Sequence, residues 1–246
     1  MGDSTSLLET LEAQERVWEE RPVVRRLYRD WYRLIRDRLA DVSGPTIELG
    51  AGTARFKEAY PEAIATDVEE TPWADQVVDA LRLPYDTGSV ANLILIDVFH
   101  HLSSPTRFFD ECRRVIAPGG RVLILDPYCS ALSTPAYKHL HHERTDLSVP
   151  PLGDAPELES SALDSNQARA TLVFFRAPSE FGERWPELRI VERRRLAFLL
   201  YPLSGGYSRR PLIPAALYRP VALLERALQP LGRVAAFRCL VVLERR

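Results

Sequence analysis

The chain has 246 residues, 46% of them hydrophobic and 27% charged, with a formal net charge of −2. These are globular proportions, and they exclude disorder, a collagen-like chain and a disulfide-stapled miniprotein. Cys112, Cys129 and Cys239 lie scattered without CxxC spacing, which argues against a zinc cluster and for a reducing, cytoplasmic setting.

The first forty residues read as helix. Val24, Leu27, Tyr28, Trp31, Tyr32, Ile35 and Leu39 recur at steps of three and four, with Arg and Asp on the other face. Pro22 suits a first helical turn, and Gly44-Pro45 stops the pattern. Strands follow at 46–49, 63–66, 90–96 and 121–125, with helices at 54–60 and 105–116. That alternation predicts an α/β fold built on a doubly wound, mostly parallel sheet. Residues 129–186 hold Pro135, Pro150, Pro151, Pro156 and Pro178 and a polar run over 154–169. They read as an insertion, partly a mobile lid. Strands at 188–200 and 234–243 flank a helix over 214–228, kinked at Pro220. The expected organisation is a helical cap (1–44), a core (45–128), the insertion (129–186) and closing strands and helix (187–246).

Charge is unevenly spread. Residues 41–183 carry 22 acids against 11 bases, and residues 184–246 carry 13 arginines against four glutamates. With 30 Arg and two Lys in the chain, Arg enrichment is general, and no single Arg is marked by its type. The longest uncharged stretch, 196–208, is thirteen residues broken by Pro202, Gly205 and Gly206, too short to span a bilayer. The polar, acidic N-terminus reads as no signal peptide.

The run Thr46-Ile-Glu-Leu-Gly-Ala-Gly-Thr-Ala54 places Gly50 and Gly52 at a strand-to-helix turn. There the lack of a Cβ permits a tight turn and close backbone approach to a ligand. The dinucleotide fingerprint requires a small third residue where this chain has Arg55, and Glu48 would repel a pyrophosphate but pair with an ammonium. Downstream, Asp67 ends a strand where it can accept from ribose hydroxyls. Asp79 lies in a loop where it can accept from an adenine amino group, and Asp97 follows the strand at 90–96. Open α/β folds bind ligands at these carboxyl ends.

Glu48-Leu-Gly-Ala-Gly-Thr-Ala54, Asp67, Asp79-Ala-x-x-Leu-Pro84, Asp97-Val-Phe-His-His-Leu102 and Arg114-Val-Ile-Ala-Pro-Gly-Gly-Arg-Val-Leu-Ile-Leu125 together resemble class I S-adenosylmethionine-dependent methyltransferases. The likeness covers 45–128. It implies a seven-stranded Rossmann-like sheet with an antiparallel last strand; the insertion expected before strand six and the Arg-rich tail lie outside it. It also implies S-adenosylmethionine as cofactor and S-adenosylhomocysteine as product. By this resemblance Glu48, Gly50 and Gly52 line the methionine moiety, Asp67 the ribose and Asp79 the adenine, with Ala51, Val68 and Ala80 also in the cofactor site. Backbone around Asp97 and Val98 would hold the amino-acid end.

Methyl transfer from a sulfonium needs alignment and exclusion of water. A general base is needed only for a hydroxyl or protonated amine acceptor. His101 is the expected base, His100 its neighbour, and Tyr128 a residue of the acceptor pocket. His139 and His142, a helical turn apart, could hold a metal with Glu143 or Asp146, but no metal is expected. The expected acceptor is a small molecule or a glycan or lipid-linked group, at oxygen or nitrogen, with no nucleic acid. The basic stretch 212–231 is read as a core helix with Arg on its exposed face, in preference to a membrane-surface segment. Rival readings are a non-catalytic cofactor-binding subunit and an NAD-dependent oxidoreductase. Oligomeric state is not legible.

Overall fold

The computed structural model describes residues 6–140, 143–153 and 165–246. Seven strands form one sheet: β1 (Thr46–Leu49), β2 (Ile64–Asp67), β3 (Gln76–Val77), β4 (Val90–Ile96), β5 (Ile116–Pro127), β6 (Leu188–Leu196) and β7 (Arg238–Arg245). Their order is β3-β2-β1-β4-β5-β7-β6. Pairing is parallel from β3 through β5, and β7 runs antiparallel to both neighbours. The chain leaves β1 toward β2 and β3, then returns to the other side of β1 as β4. The carboxyl ends of β1 and β4 therefore flank the topological switch point, where such sheets form a ligand crevice.

Side chains of β4, β5 and β7 alternate between two cores. Leu93, Leu95, Val122, Ile124, Val241 and Leu243 face one, and Ile94, Leu123, Leu125, Leu240 and Val242 the other. With helices on both faces, these strands are buried along almost their whole length, as their near-continuous apolar runs require.

The N-terminal cap is two helices, α1 (Leu7–Glu20) and α2 (Pro22–Arg36). Ser6 Oγ accepts from Glu9 N while the Glu9 carboxylate accepts from Ser6 N, which satisfies two orphan donors at the start of α1. Pro22, with no N–H to donate, ends one helix and opens the next. On α2 the predicted stripe of Val24, Leu27, Tyr28, Trp31, Tyr32 and Ile35 is buried against the sheet.

Several elements differ from the sequence reading. The helix expected over 54–60 is a single 3₁₀ turn, Arg55–Glu58, because Ala54 is left-handed (φ 52°) and Pro61 follows closely. β3 has only two residues, too few for any periodic signal. The strand at 188–200 stops at Leu196, where Ala197 turns to φ 64°, and Leu200–Ser204 is a short helix, α7. The last strand starts at Arg238, not at 234, since Gly232–Ala235 is a helical turn. Pro220 produces no kink: its helix begins at Tyr218, so the missing N–H falls in the first turn.

α3 (Pro105–Val115) crosses one face, capped by Ser104. Beyond β5 come α4 (Ser133–Leu140), α5 (Arg169–Thr171) with its π-turn Leu172–Arg176, and α6 (Pro178–Arg184). The latter part of the expected insertion is core rather than cover. Phe174, Phe181 and Trp185 are fully buried against Phe99 and Phe109, with ring centroids 4.9–5.9 Å apart. The helix α8 (Tyr218–Ala227) buries Tyr218 but leaves Leu223 and Leu224 exposed, so it is not the core helix the sequence suggested. Residues 141–142 and 154–164, including His141, His142 and Pro156, lie outside the described residues.

Candidate active site at the switch point

Both glycines at the end of β1 have positive φ, 65° at Gly50 and 55° at Gly52. A Cβ on Gly50 would lie 2.6 Å from Val98 Cγ2, so the turn after β1 and the turn after β4 touch only because residue 50 is glycine. Gly52 is roofed by α1: a Cβ there would meet Leu11 Cδ2 at 3.3 Å. Arg55 anchors that roof, donating from Nε to Glu15 Oε1 at 3.0 Å and lying over the Trp18 ring. The turn itself is tied to β2 by Ala51 N donating to Thr66 O at 2.8 Å.

Around the turn stand two carboxylates. Asp67 accepts from Gly52 N at 3.0 Å and from Val68 N at 2.8 Å, one bond per oxygen, so each oxygen keeps a lone pair for a further donor. Glu48 is buried at the end of β1, and its Oε2 has no hydrogen-bond partner among the described residues. Burial, reinforced by the Asp67 charge, pushes its carboxyl up to about 8. A buried carboxylate oxygen without a donor is costly, and an ammonium placed there would remove the cost. The donor set thus fits an amino-acid cofactor and not a pyrophosphate. Asp79 stands apart: it is exposed and accepts from Leu81 N at 2.8 Å, with Ala80 packed on the core behind it.

Asp97 is held in place from two sides. It adopts φ 58°, its N–H donates to Leu125 O at 2.9 Å, and its carboxylate accepts from Tyr28 Oη at 3.0 Å and from the buried guanidinium of Arg238. Arg238 also donates to Tyr201 Oη at 2.7 Å. Burial and the Asp97 charge raise the Tyr28 phenol well above its ordinary value, so it stays a donor. Arg238 was not among the residues singled out from sequence. Its only signal was a lone basic residue at the start of an apolar strand.

The two histidines after β4 have different surroundings. His100 is buried; its Nδ1 donates to Asp126 Oδ1 at 2.8 Å, and its Nε2 lies 3.3 Å from Glu143 Oε2. Burial alone would lower its pKa, but the two carboxylates outweigh that and raise it to about 10, so His100 is an imidazolium at neutral pH. His101 stacks on it with ring centroids 4.1 Å apart, is partly exposed, and has Nε2 3.9 Å from Glu143 Oε1. His100, His101 and Glu143 bring one ligand atom each within 4.8 Å of one another. A protonated imidazole has no lone pair for a cation, and the grouping reads as a hydrogen-bonded ion triad with Asp126. Asp126 was missed as a site residue, and Glu143 was considered only as a metal ligand beside His139 and His142, since chain distance hides both from His100. His139 is exposed on α4, and His142 lies outside the described residues.

Tyr128 lies just past β5. Its hydroxyl accepts from Arg195 Nε at 2.8 Å, and the Arg195 guanidinium stacks over its ring. It lines a cavity of about 510 Å³ together with Ser130, Thr171, Arg176, Arg195 and Arg233. Among the described residues, none of the three arginines has a carboxylate within ion-pair distance.

Residues 40–124 match the model of the methyltransferase-domain family. That match covers about a third of the chain, the part of the sheet that carries the glycine turn, and there the chain is similar to a methyltransferase domain. Solved structures agree with this fold along nearly the whole chain. A Thermotoga maritima methyltransferase, a possible histamine N-methyltransferase, superposes with a TM-score of 0.56 at 13% identity, covering 98% of each chain. A methyltransferase from Archaeoglobus fulgidus gives 0.52 at 12% identity, over 90% of this chain and 94% of its own. Geranyl diphosphate C-methyltransferase from Streptomyces coelicolor, solved with Mg2+, geranyl diphosphate and S-adenosylhomocysteine, gives 0.52 at 13% identity, over 100% and 86%. No curated protein matches the chain in sequence. The glycine turn, Glu48 and Asp67 lie at one end of the crevice, and the histidine pair follows Val98. Among the described residues no helix is long and apolar enough to cross a membrane.

Proposed function

We propose that this chain catalyses methyl transfer from S-adenosylmethionine to an oxygen or nitrogen atom of a small-molecule or glycan acceptor. The observation that carries the reading is Glu48, a buried carboxyl group with an oxygen that has no partner among the described residues, beside a glycine turn. When bound, the cofactor supplies an electrophilic methyl group on a sulfonium. Glu48 pairs with its ammonium, and the backbone of Gly50, Ala51, Gly52, Asp97 and Val98 encloses the amino-acid end. Asp67 accepts from the ribose hydroxyls through its remaining lone pairs. Val68, left 61% exposed, offers an apolar face to the adenine, with Ala80 behind and Asp79 accepting from the amino group.

An oxygen or nitrogen acceptor would have to give up a proton on taking the methyl group that the cofactor would supply. His101 takes that proton at Nε2, where Glu143 then stabilises the imidazolium. His100, already protonated between Asp126 and Glu143, is a positioning residue that fixes Glu143 and the stacked His101 ring. Tyr128, whose hydroxyl Arg195 occupies, shapes the acceptor side.

Calorimetric titration of S-adenosylhomocysteine into wild type and Asp67→Ala tests this. Micromolar binding that weakens at least about tenfold in the variant, about 1.4 kcal/mol, is expected. A folded wild type that does not bind would overturn the reading. Binding without any turnover across acceptor mixtures would instead favour a non-catalytic subunit. Arg55, committed to the α1 roof, leaves no small third residue for a dinucleotide.

A further inference from the structure

We propose that residues 209–234, together with Leu132, dock this protein onto an anionic membrane surface. α8 turns Tyr218, Val221 and Ala222 inward, so its outer face carries Leu223 (64% exposed) and Leu224 (52%). Leu212 before it and Leu231 and Val234 after it are also more than half exposed. Leu132 extends the same surface: it is 54% exposed, and its N–H donates to Val234 O at 2.9 Å. Most of the large apolar side chains exposed among the described residues lie in this patch, which is how a contact surface differs from scattered apolar residues.

The charge of the segment indicates what covers it. Arg209, Arg210, Arg219, Arg226 and Arg233 have no ion-pair partner among the described residues. The one acid of the segment, Glu225, points inward and accepts from Leu199 N at 2.8 Å and Leu200 N at 2.7 Å. A second copy of the chain would oppose arginines to arginines across a two-fold contact. Anionic headgroups neutralise the guanidinium groups while the interfacial acyl region receives the leucines. Arg233 belongs to the patch and also lines the cavity with Arg176 and Arg195, so an amphiphile with an anionic headgroup can pass from the surface to that cavity. The docking rests on the surface alone. Only the delivery of such an amphiphile as acceptor rests on the methyl-transfer reading.

The test is co-sedimentation of the full chain with phosphatidylcholine vesicles, with and without phosphatidylglycerol. Binding to the anionic vesicles is expected to fall with added salt and to weaken at least about tenfold in Leu223→Gln/Leu224→Gln and in Arg219→Gln/Arg226→Gln. Thermal melting shows that each variant is folded, and S-adenosylhomocysteine titration reports separately on the methyltransferase reading. No binding by a folded chain, equal binding to neutral vesicles, or unchanged binding in both variants would overturn the proposal. So would a wild-type dimer that Leu223→Gln/Leu224→Gln dissolves in analytical ultracentrifugation, since a second copy would then cover the face.

Discussion

The carboxyl edge of the sheet has two ends that differ in charge and in how they are assembled. At the β1–β2 end, Glu48 and Asp67 lie nineteen positions apart in sequence and meet around one glycine turn. At the β5–β6 end, Tyr128, Arg176, Arg195 and Arg233 come from four separate segments to line one cavity. The first end is local and acidic, suited to an ammonium and to ribose hydroxyls; the second is assembled from distant segments and basic, suited to an anion. Asp97 and Arg238 join the two, one from the turn after β4 and the other from the start of β7. The difference teaches that a motif can specify one end of a crevice while the other depends on how remote strands close the sheet.

Breaking that junction should have the largest effect. Asp97→Ala leaves the Arg238 guanidinium buried without its counter-charge, a change that costs about 3–5 kcal/mol. Urea denaturation should show this loss in the free protein, and a change under about 1 kcal/mol would mean that the two ends are not coupled through this pair.

The next effect concerns chemistry rather than stability. His101→Gln should lower kcat by about a hundredfold or more while S-adenosylhomocysteine affinity stays at the wild-type value. His100→Gln, which removes a positioning group, should reduce kcat less and shift its pH profile. A His101→Gln enzyme with normal kcat would assign the proton to another acceptor.

The smallest effect separates the acidic end from everything else. The folded-state pKa of Glu48 is raised to about 8, above its ordinary carboxylate value of 4.5, so the free protein holds a proton there at neutral pH. Pairing with an ammonium requires that proton to leave. S-adenosylhomocysteine affinity should therefore rise by up to about tenfold per pH unit below pH 8 and then level off. Calorimetry in buffers of different ionisation enthalpy should register the released proton, and Glu48→Gln should abolish both the slope and the release. For the same reason Glu48 lowers the stability of the free protein as pH rises from about 4.5 to about 8, since the unfolded chain gives up its proton first.

The parts of the site that were readable in sequence are those whose partners are near in the chain. Gly50 and Gly52 follow directly on β1, and Asp67 is the last residue of β2, so strand spacing alone put them together. The buried apolar runs of β1, β4 and β5 fixed a parallel sheet for the same reason. Misreadings arose where a boundary depended on one backbone angle. Ala54 and Ala197, both at positive φ, cut short a helix and a strand that their residue types would have continued.

By itself, then, the sequence determined the parallel α/β core, the glycine turn and the acids at its strand ends, because periodicity and turn chemistry act over a few residues. Tertiary structure alone decided that His100 is charged, because Asp126 and Glu143 reach it from 26 and 43 residues away and outweigh its burial. It also decided which face of α8 turns outward. Tyr218, Val221 and Ala222 dock against the sheet's second core, so Leu223 and Leu224 are left on the surface beside arginines that have no ion-pair partner among the described residues. Hydrophobic pattern says that a face will be buried; only the packed partner determines which one.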